Sequence, residues 1–261
     1  MNAPLANPGR DFGQQFEFSI GCVPLCLEMS DLRLYGAALA RYAAFTSAAE
    51  KPIHIALNNA APPERALPDF AYEFEGAALR AFSSDIRFDG VRNQYALDSL
   101  VRVFLSWKLL EHQGFLLHAA TVMQGEKAYI FTGRSGAGKS TVASLSPAGS
   151  VLTDEISLLR REEGGWRAYG TPFWGEFKAA GSNSSAPVAG IFRLLQATEN
   201  RVELLRPMTI LRTLLPNVLF FSADAEANRR LLEILSRAAT EIKGYNLSFS
   251  KNAAFWEVLP A

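Results

Sequence analysis

The sequence predicts a mixed α/β fold, with a smaller sheet-rich module over residues 1–95 and a larger domain over residues 96–261. Three observations support this. Short apolar strand patterns at 51–57, 69–74 and 85–88 are separated by Pro, Asn, Asp and Gly turns. An apolar strand pattern at 127–132 runs directly into GRSGAGKS (133–140) and then into helix-compatible residues. Behind that loop, strand and helix patterns alternate to the carboxyl end.

The chain has 261 residues with 49% hydrophobic content, enough for a sizeable core. Basic and acidic residues number 26 each, so no overall pull toward nucleic acid or anionic lipid is expected, and any anion binding must be local. The first fifteen residues carry Pro, Gly and Asn where a leader needs an apolar run, and no run approaches the roughly 18 apolar residues of a membrane span, so a cytoplasmic location is expected. Cys22 and Cys26 lie in an extended-looking CVPLC segment, roughly 13 Å apart at about 3.3 Å per residue. That is too far for a disulfide, and His54, His112 and His118 pair with neither cysteine, so two buried free thiols are expected.

In chain order, residues 16–28 read as strand and 32–45 as helix, followed by the short strands above and a further one at 94–97. Residues 98–112 place Leu100, Val101, Phe104, Leu105, Leu109 and Leu110 at helical intervals, with Asp98 and Ser99 available as cap and first-turn residues. Gly114 ends that helix, and the strands 115–123 and 127–132 follow, joined by a Gln124-Gly125-Glu126 turn. Beyond the loop come a short helix, a strand at 150–153, a hairpin around Gly164-Gly165 and a strand at 190–197. Helices are expected at 207–215 and 223–242, with closing strands at 245–250 and 255–258.

Gly133, Arg134, Ser135, Gly136, Ala137, Gly138, Lys139 and Ser140 match G-x-x-x-x-G-K-[ST] at every fixed position, and the match has the strand-before, helix-after context that the motif requires. Glycines let the backbone turn with its N–H groups inward, making an anion nest that continues into the positive end of a helix. The expected ligand of residues 133–141, Thr141 included, is a nucleoside triphosphate, ATP with Mg²⁺. Lys139 would reach the β and γ phosphates, and the Ser140 hydroxyl would ligate the cation.

Asp154 and Glu155 close the strand at 150–153, and Asp154 lies only 15 positions after Lys139. A helix of about two turns and a parallel strand would bring both carboxylates to the sheet edge that holds the loop. One would hold Mg²⁺ and the other would accept a proton from an attacking hydroxyl; the alternative is a pair that begins a β-turn. In GTPFWGEF (170–177), Glu176 is a candidate metal or substrate carboxylate, and Phe173 and Trp174 form a candidate stacking surface. Lys178 and Arg193 are candidate phosphate partners. The alternative there is a tight turn packed with aromatics. His118, in an apolar strand, would by itself read as a core histidine.

A strand histidine, a hairpin into GxSGxGKS, a short helix and an acidic pair together resemble the catalytic domain of HPr serine kinase/phosphorylases and of HPr-kinase-related proteins, some of which accompany peptide-modification gene clusters. The likeness is close over residues 115–155 and looser to the carboxyl end. It implies a P-loop domain of the HPr-kinase and phosphoenolpyruvate-carboxykinase type, with His118 beside the transferring phosphoryl, Lys139 and Ser140 on phosphate and Mg²⁺, and the acidic pair as base. The implied activity is transfer of the γ-phosphoryl of ATP to a hydroxyl, a serine of a protein or peptide, by a chain that needs neither nucleic acid nor membrane and for which assembly as a homo-oligomer stays open. The family has two aspartates where this chain has Asp154-Glu155, and its glutamate-hydrophobic-arginine-glycine signature has no match, so the reverse phosphorylase reaction is not expected. Two other readings stay open: a small-molecule kinase or carboxykinase of the same fold, and a nucleotide-responsive module without efficient transfer. The sequence lacks an LSGGQ-like signature and an NKxD motif, which sets aside transport ATPases and GTPases.

Overall fold

The computed structural model describes residues 13–57, 67–82, 85–175 and 181–260. The amino-terminal stretch read for a leader lies, up to residue 12, outside the described residues. The architecture is mixed α/β with two sheets. The first contains β1 (Gln14–Ile20), β2 (Val23–Met29), β3 (Ile53–Leu57), β4 (Phe70–Phe74), β5 (Ala77–Phe82) and β6 (Asp85–Asp89), in the order β1-β2-β3-β6-β5-β4. Helix α1 (Leu32–Tyr42) crosses between β2 and β3, which run parallel. The single strand read at 16–28 is a hairpin, because Gly21 (φ 56°) and Cys22 (φ 63°) turn the chain left-handed. That turn leaves Cys22 exposed while Cys26 is buried in β2, so only one of the two thiols is a core residue.

Helix α2 (Gln94–Lys108) begins where a strand at 94–97 was expected. Asn93 is the cap, accepting from the Ala96 N–H at 2.9 Å. Asp98 is thereby freed from any capping role and lies buried on the helix face. The apolar face of α2 (Leu97, Leu100, Val101, Phe104, Leu105) joins Phe18, Leu25 and Tyr42 of the first half in one core. Leu116, Ile156, Leu158, Tyr169 and Phe173 belong to the same core, so α2 sits between the two sheets.

The second sheet has the path β11-β10-β7-β8-β12-β15-β13. Its strands are β7 (Gly114–Gln124), β8 (Lys127–Thr132), β9 (Val151–Thr153), β10 (Ile156–Glu162), β11 (Gly165–Tyr169), β12 (Ser185–Gln196), β13 (Arg201–Leu204), β14 (Val218–Leu219) and β15 (Gly244–Phe249). Helix α3 (Lys139–Leu145) follows β8, and α4 (Pro207–Leu214) and α5 (Ala225–Glu241) follow β13 and β14 respectively. Strand β8 shows the period of two: Ala128 and Ile130 enter the core under α4 and α5, while Tyr129 and Phe131 enter the core shared with α3. The segment 255–258, expected as a strand, lies in a 3-10 helix (Ala253–Val258) started by Asn252, which accepts from the Ala254 N–H. Its Phe255 is fully buried, so the apolar pattern was real but the period was misread. Among the described residues no helix is long and apolar enough to cross a membrane.

Candidate functional site

The site forms where β8 ends. Strand β12 lies parallel to β8, with Ile191 opposite Ile130 and Arg193 opposite Thr132, so both strands present their carboxyl ends on the same side. From Thr132 the chain turns through Gly133–Gly138 into α3, with Gly138 in the left-handed region (φ 113°) as the residue before the helix. A side chain there would be strained in φ and would bring its Cβ to 3.1 Å from the Phe249 ring. The loop residues Arg134, Ser135 and Gly136 are exposed, whereas Lys139 is buried and donates to the Gly133 carbonyl at 3.1 Å. Burial lowers the Lys139 pKa, and Glu155 counteracts it.

Asp154 and Glu155 do follow a short helix and a short strand. However, β9 is hydrogen-bonded antiparallel to β7, with Thr121 opposite Thr153, and has no ladder with β8. Strand β10 then continues antiparallel along the same β7, with Ile156 opposite His118. The acidic pair therefore interrupts an extended run beside β7 and does not begin a turn. The Ala119 N–H donates to the Glu155 carbonyl at 3.0 Å across this interruption. Because β8 is also antiparallel to β7, β9 still runs in the direction of β8, and the carboxylates emerge at the loop's end of the sheet.

One cavity of about 830 Å³ gathers Ser135, Gly136, Gly138, Lys139, Ser140 and Thr141 with His118, Asp154 and Glu155. Gly133, Arg134 and Ala137 instead line a second cavity of about 480 Å³ on the same loop, together with Arg193 and Arg212. Arg193 is thus placed away from the acidic pair, where its Nε donates to the Asn246 Oδ1 at 2.8 Å. Glu176 and Lys178 lie outside the described residues. Asp154 is buried and accepts from the Gly175 N–H. Burial raises the Glu155 pKa; Arg102, whose Nη2 stands 3.8 Å from Oε2, opposes the rise. His118 is half-buried in β7, and burial and then Lys139 lower its pKa, which favours the neutral ring.

Ser140 and the two carboxylates offer the cavity a set of hard oxygen donors, the chemistry that suits Mg²⁺. Among the described residues no group of three or more His, Cys, Asp or Glu could hold a metal ion by itself. Mg²⁺ on a nucleotide needs only one or two protein oxygens beside the phosphates, so this donor set fits a nucleotide-borne cation better than an all-protein cage.

The residues missed from the sequence come from the first half. Arg41 of α1 and Tyr95, Asp98 and Arg102 of α2 line the same cavity, beside Trp174 and Gly175. Arg41 pairs with Asp98 at 2.7 Å, and its guanidinium carbon lies 3.4 Å from the Trp174 ring centre. Arg102 lies 4.9 Å from the ring centre of Phe173. Phe173 and Trp174 are accordingly platforms for arginines, with Phe173 itself fully buried. No local motif marks Arg41 or Arg102; the one signal was an arginine on each of two amphipathic helices.

The fold and site define a mixed α/β protein with a glycine-rich strand–loop–helix turn opening onto a cavity that holds a lysine, a histidine and two carboxylates. Residues 94–260, well over half of the chain, match the model of the family described as SynChlorMet cassette protein ScmC, and the chain belongs to that family. No curated protein matches it.

Proposed function

We propose that the chain is an HPr-kinase-like P-loop phosphotransferase that moves the γ-phosphoryl of ATP to a hydroxyl, a serine of a protein or peptide. The observation that carries this reading is the convergence of Lys139, Ser140, His118, Asp154 and Glu155 on one cavity at the end of β8. Catalysis of this kind rests on positioning and charge stabilisation. The loop amides and Lys139 take the triphosphate, giving up the Lys139 contact to the Gly133 carbonyl. Mg²⁺, bound with the nucleotide and held by Ser140 and Asp154, would supply further charge neutralisation.

Glu155 acts as the base. Its raised pKa makes it a better proton acceptor than an ordinary exposed carboxylate. The acceptor oxygen forms a bond to Pγ, its proton passes to Glu155, and the bond from Pγ to the bridging β–γ oxygen breaks to release ADP. Neutral His118 stands on β7 beside Glu155 and can hydrogen-bond the transferring group. Use of ATP in this way suits a cytoplasmic protein.

The test is incubation of the full chain with Mg²⁺, γ-labelled ATP and a lysate of the source organism. A labelled protein or peptide, lost with Lys139→Ala, is the expected result. Tight ATP binding with no labelled product would overturn the transferase reading in favour of a nucleotide-responsive module.

A further inference from the structure

The first half of the chain does more than flank the cavity, because it places two guanidinium groups within it. Arg41 is 8% exposed, fixed by its ion pair with Asp98 and by the Trp174 face beneath it. Asp98 in turn accepts from the Tyr42 hydroxyl and the Gln94 amide, each at 2.7 Å, so its carboxylate meets three donors in all. Among the described residues the Nε of Arg41 nevertheless has no hydrogen-bond partner though it is buried, and the same holds for the Nε of Arg102. Leaving such a donor dry and unpaired costs free energy, so each guanidinium gains from an acceptor that draws it toward the cavity it lines. The closest acidic oxygen to Arg102 is the Glu155 Oε2 at 3.8 Å, beyond hydrogen-bond length. Two planar guanidinium groups held on aromatic rings, with unused donors, are suited to a planar or tetrahedral oxyanion.

We propose that Arg41 and Arg102 form an oxyanion subsite that binds a carboxylate or phosphate of the phosphoryl acceptor beside the hydroxyl to be modified. The assignment of the anion to an acceptor rests on the phosphotransfer reading above; the subsite itself does not. Selectivity would then follow from an acidic group near the acceptor hydroxyl, and the amino-terminal half would be a structural part of the acceptor site.

The experiment is calorimetric titration of the full chain with inorganic phosphate and, separately, malonate, both with MgADP at saturation and without nucleotide. The wild type is expected to bind at least one probe in each condition, and the tighter probe identifies the acceptor's anionic group. Arg102→Gln and Arg41→Gln should each weaken that probe at least tenfold, with MgADP affinity changed less than threefold, and Arg102→Lys should recover part of the loss. Probe affinity within threefold of wild type in Arg102→Gln overturns the proposal, as does failure of the wild type to bind either probe at tens of millimolar. Arg102 is half-buried and makes no short ion pair among the described residues, so its variants keep the test valid if Arg41→Gln fails to fold. Absence of MgADP binding would count against the nucleotide reading alone, because the titration without nucleotide still reads the two arginines.

Discussion

The Gly175 N–H stands 3.2 and 3.3 Å from the two carboxylate oxygens of Asp154, so this backbone donor helps to orient the buried acid within the cavity. An asparagine keeps an oxygen for that donor but loses the charge. Asp154→Asn is therefore expected to fold and to bind nucleotide within a few-fold of wild type. Phosphoryl transfer should fall by about 10²-fold or more, with a raised Mg²⁺ requirement. Steady-state rates over a Mg²⁺ titration check this; an unchanged rate at limiting Mg²⁺ would remove Asp154 from the cation site.

Lys139 is expected to matter for binding and little for folding. Among the described residues its ammonium is partnered only by the Gly133 carbonyl at 3.1 Å, and burial works against its charge. Lys139→Ala should abolish Mg-nucleotide binding while leaving the thermal midpoint within a few degrees of wild type. Nucleotide titration and a melting curve on the same preparation check both halves.

Glu155 gives a pH dependence with a definite sign. Burial raises its pKa above 4.5, so the carboxylate needed as base appears only at higher pH, and the acid limb of the rate profile should lie above the ordinary carboxylate range. Arg102 lowers that pKa, so Arg102→Gln should move the limb to still higher pH. Glu155→Gln should remove the limb and cost about 10²–10⁴-fold in rate. The ionised acid is the form that burial disfavours, so the same substitution should raise the thermal midpoint at neutral pH. The gain should vanish below about pH 4.5, where both folded and unfolded wild type are protonated. Paired pH–rate and pH–melting profiles test this, and a downward shift of the limb in Arg102→Gln would contradict it.

How much of this was legible depended on whether the signal was local. The glycine-rich loop, β8 and α3 follow from neighbouring residues, because turn chemistry and a period-two strand are written in consecutive positions. Asp154 and Glu155 were legible as a pair at the end of a strand, but not as an interruption along β7, since pairing partners 29 to 46 positions apart leave no local trace. Asp98 was read as a cap from its place before an apolar run, whereas Asn93 caps the helix and Asp98 turns inward to meet Arg41, 57 positions away. Arg41, Arg102 and their aromatic platforms required the tertiary fold, because nothing in helix periodicity distinguishes a solvated arginine from one that closes a cavity.

The buried pair of Arg41 and Asp98 provides the strongest stability expectation. Both side chains are under a tenth exposed, and Asp98 also accepts from Tyr42 and Gln94. Asp98→Ala strands the Arg41 charge in the core between α1 and α2, a change expected to cost about 3–5 kcal/mol. Tyr42→Phe removes one of three donors while leaving the ring packed on Phe18, and should cost only about 1 kcal/mol. The larger loss should be partly relieved in the double variant Asp98→Ala with Arg41→Met, since no unpaired charge then remains and the apolar chain can rest on Trp174. Denaturant unfolding of the three variants decides the matter. Equal losses for Asp98→Ala and Tyr42→Phe would mean that Arg41 escapes to water when its partner is removed, and that the Trp174 ring alone does not hold the guanidinium rigid for the oxyanion subsite.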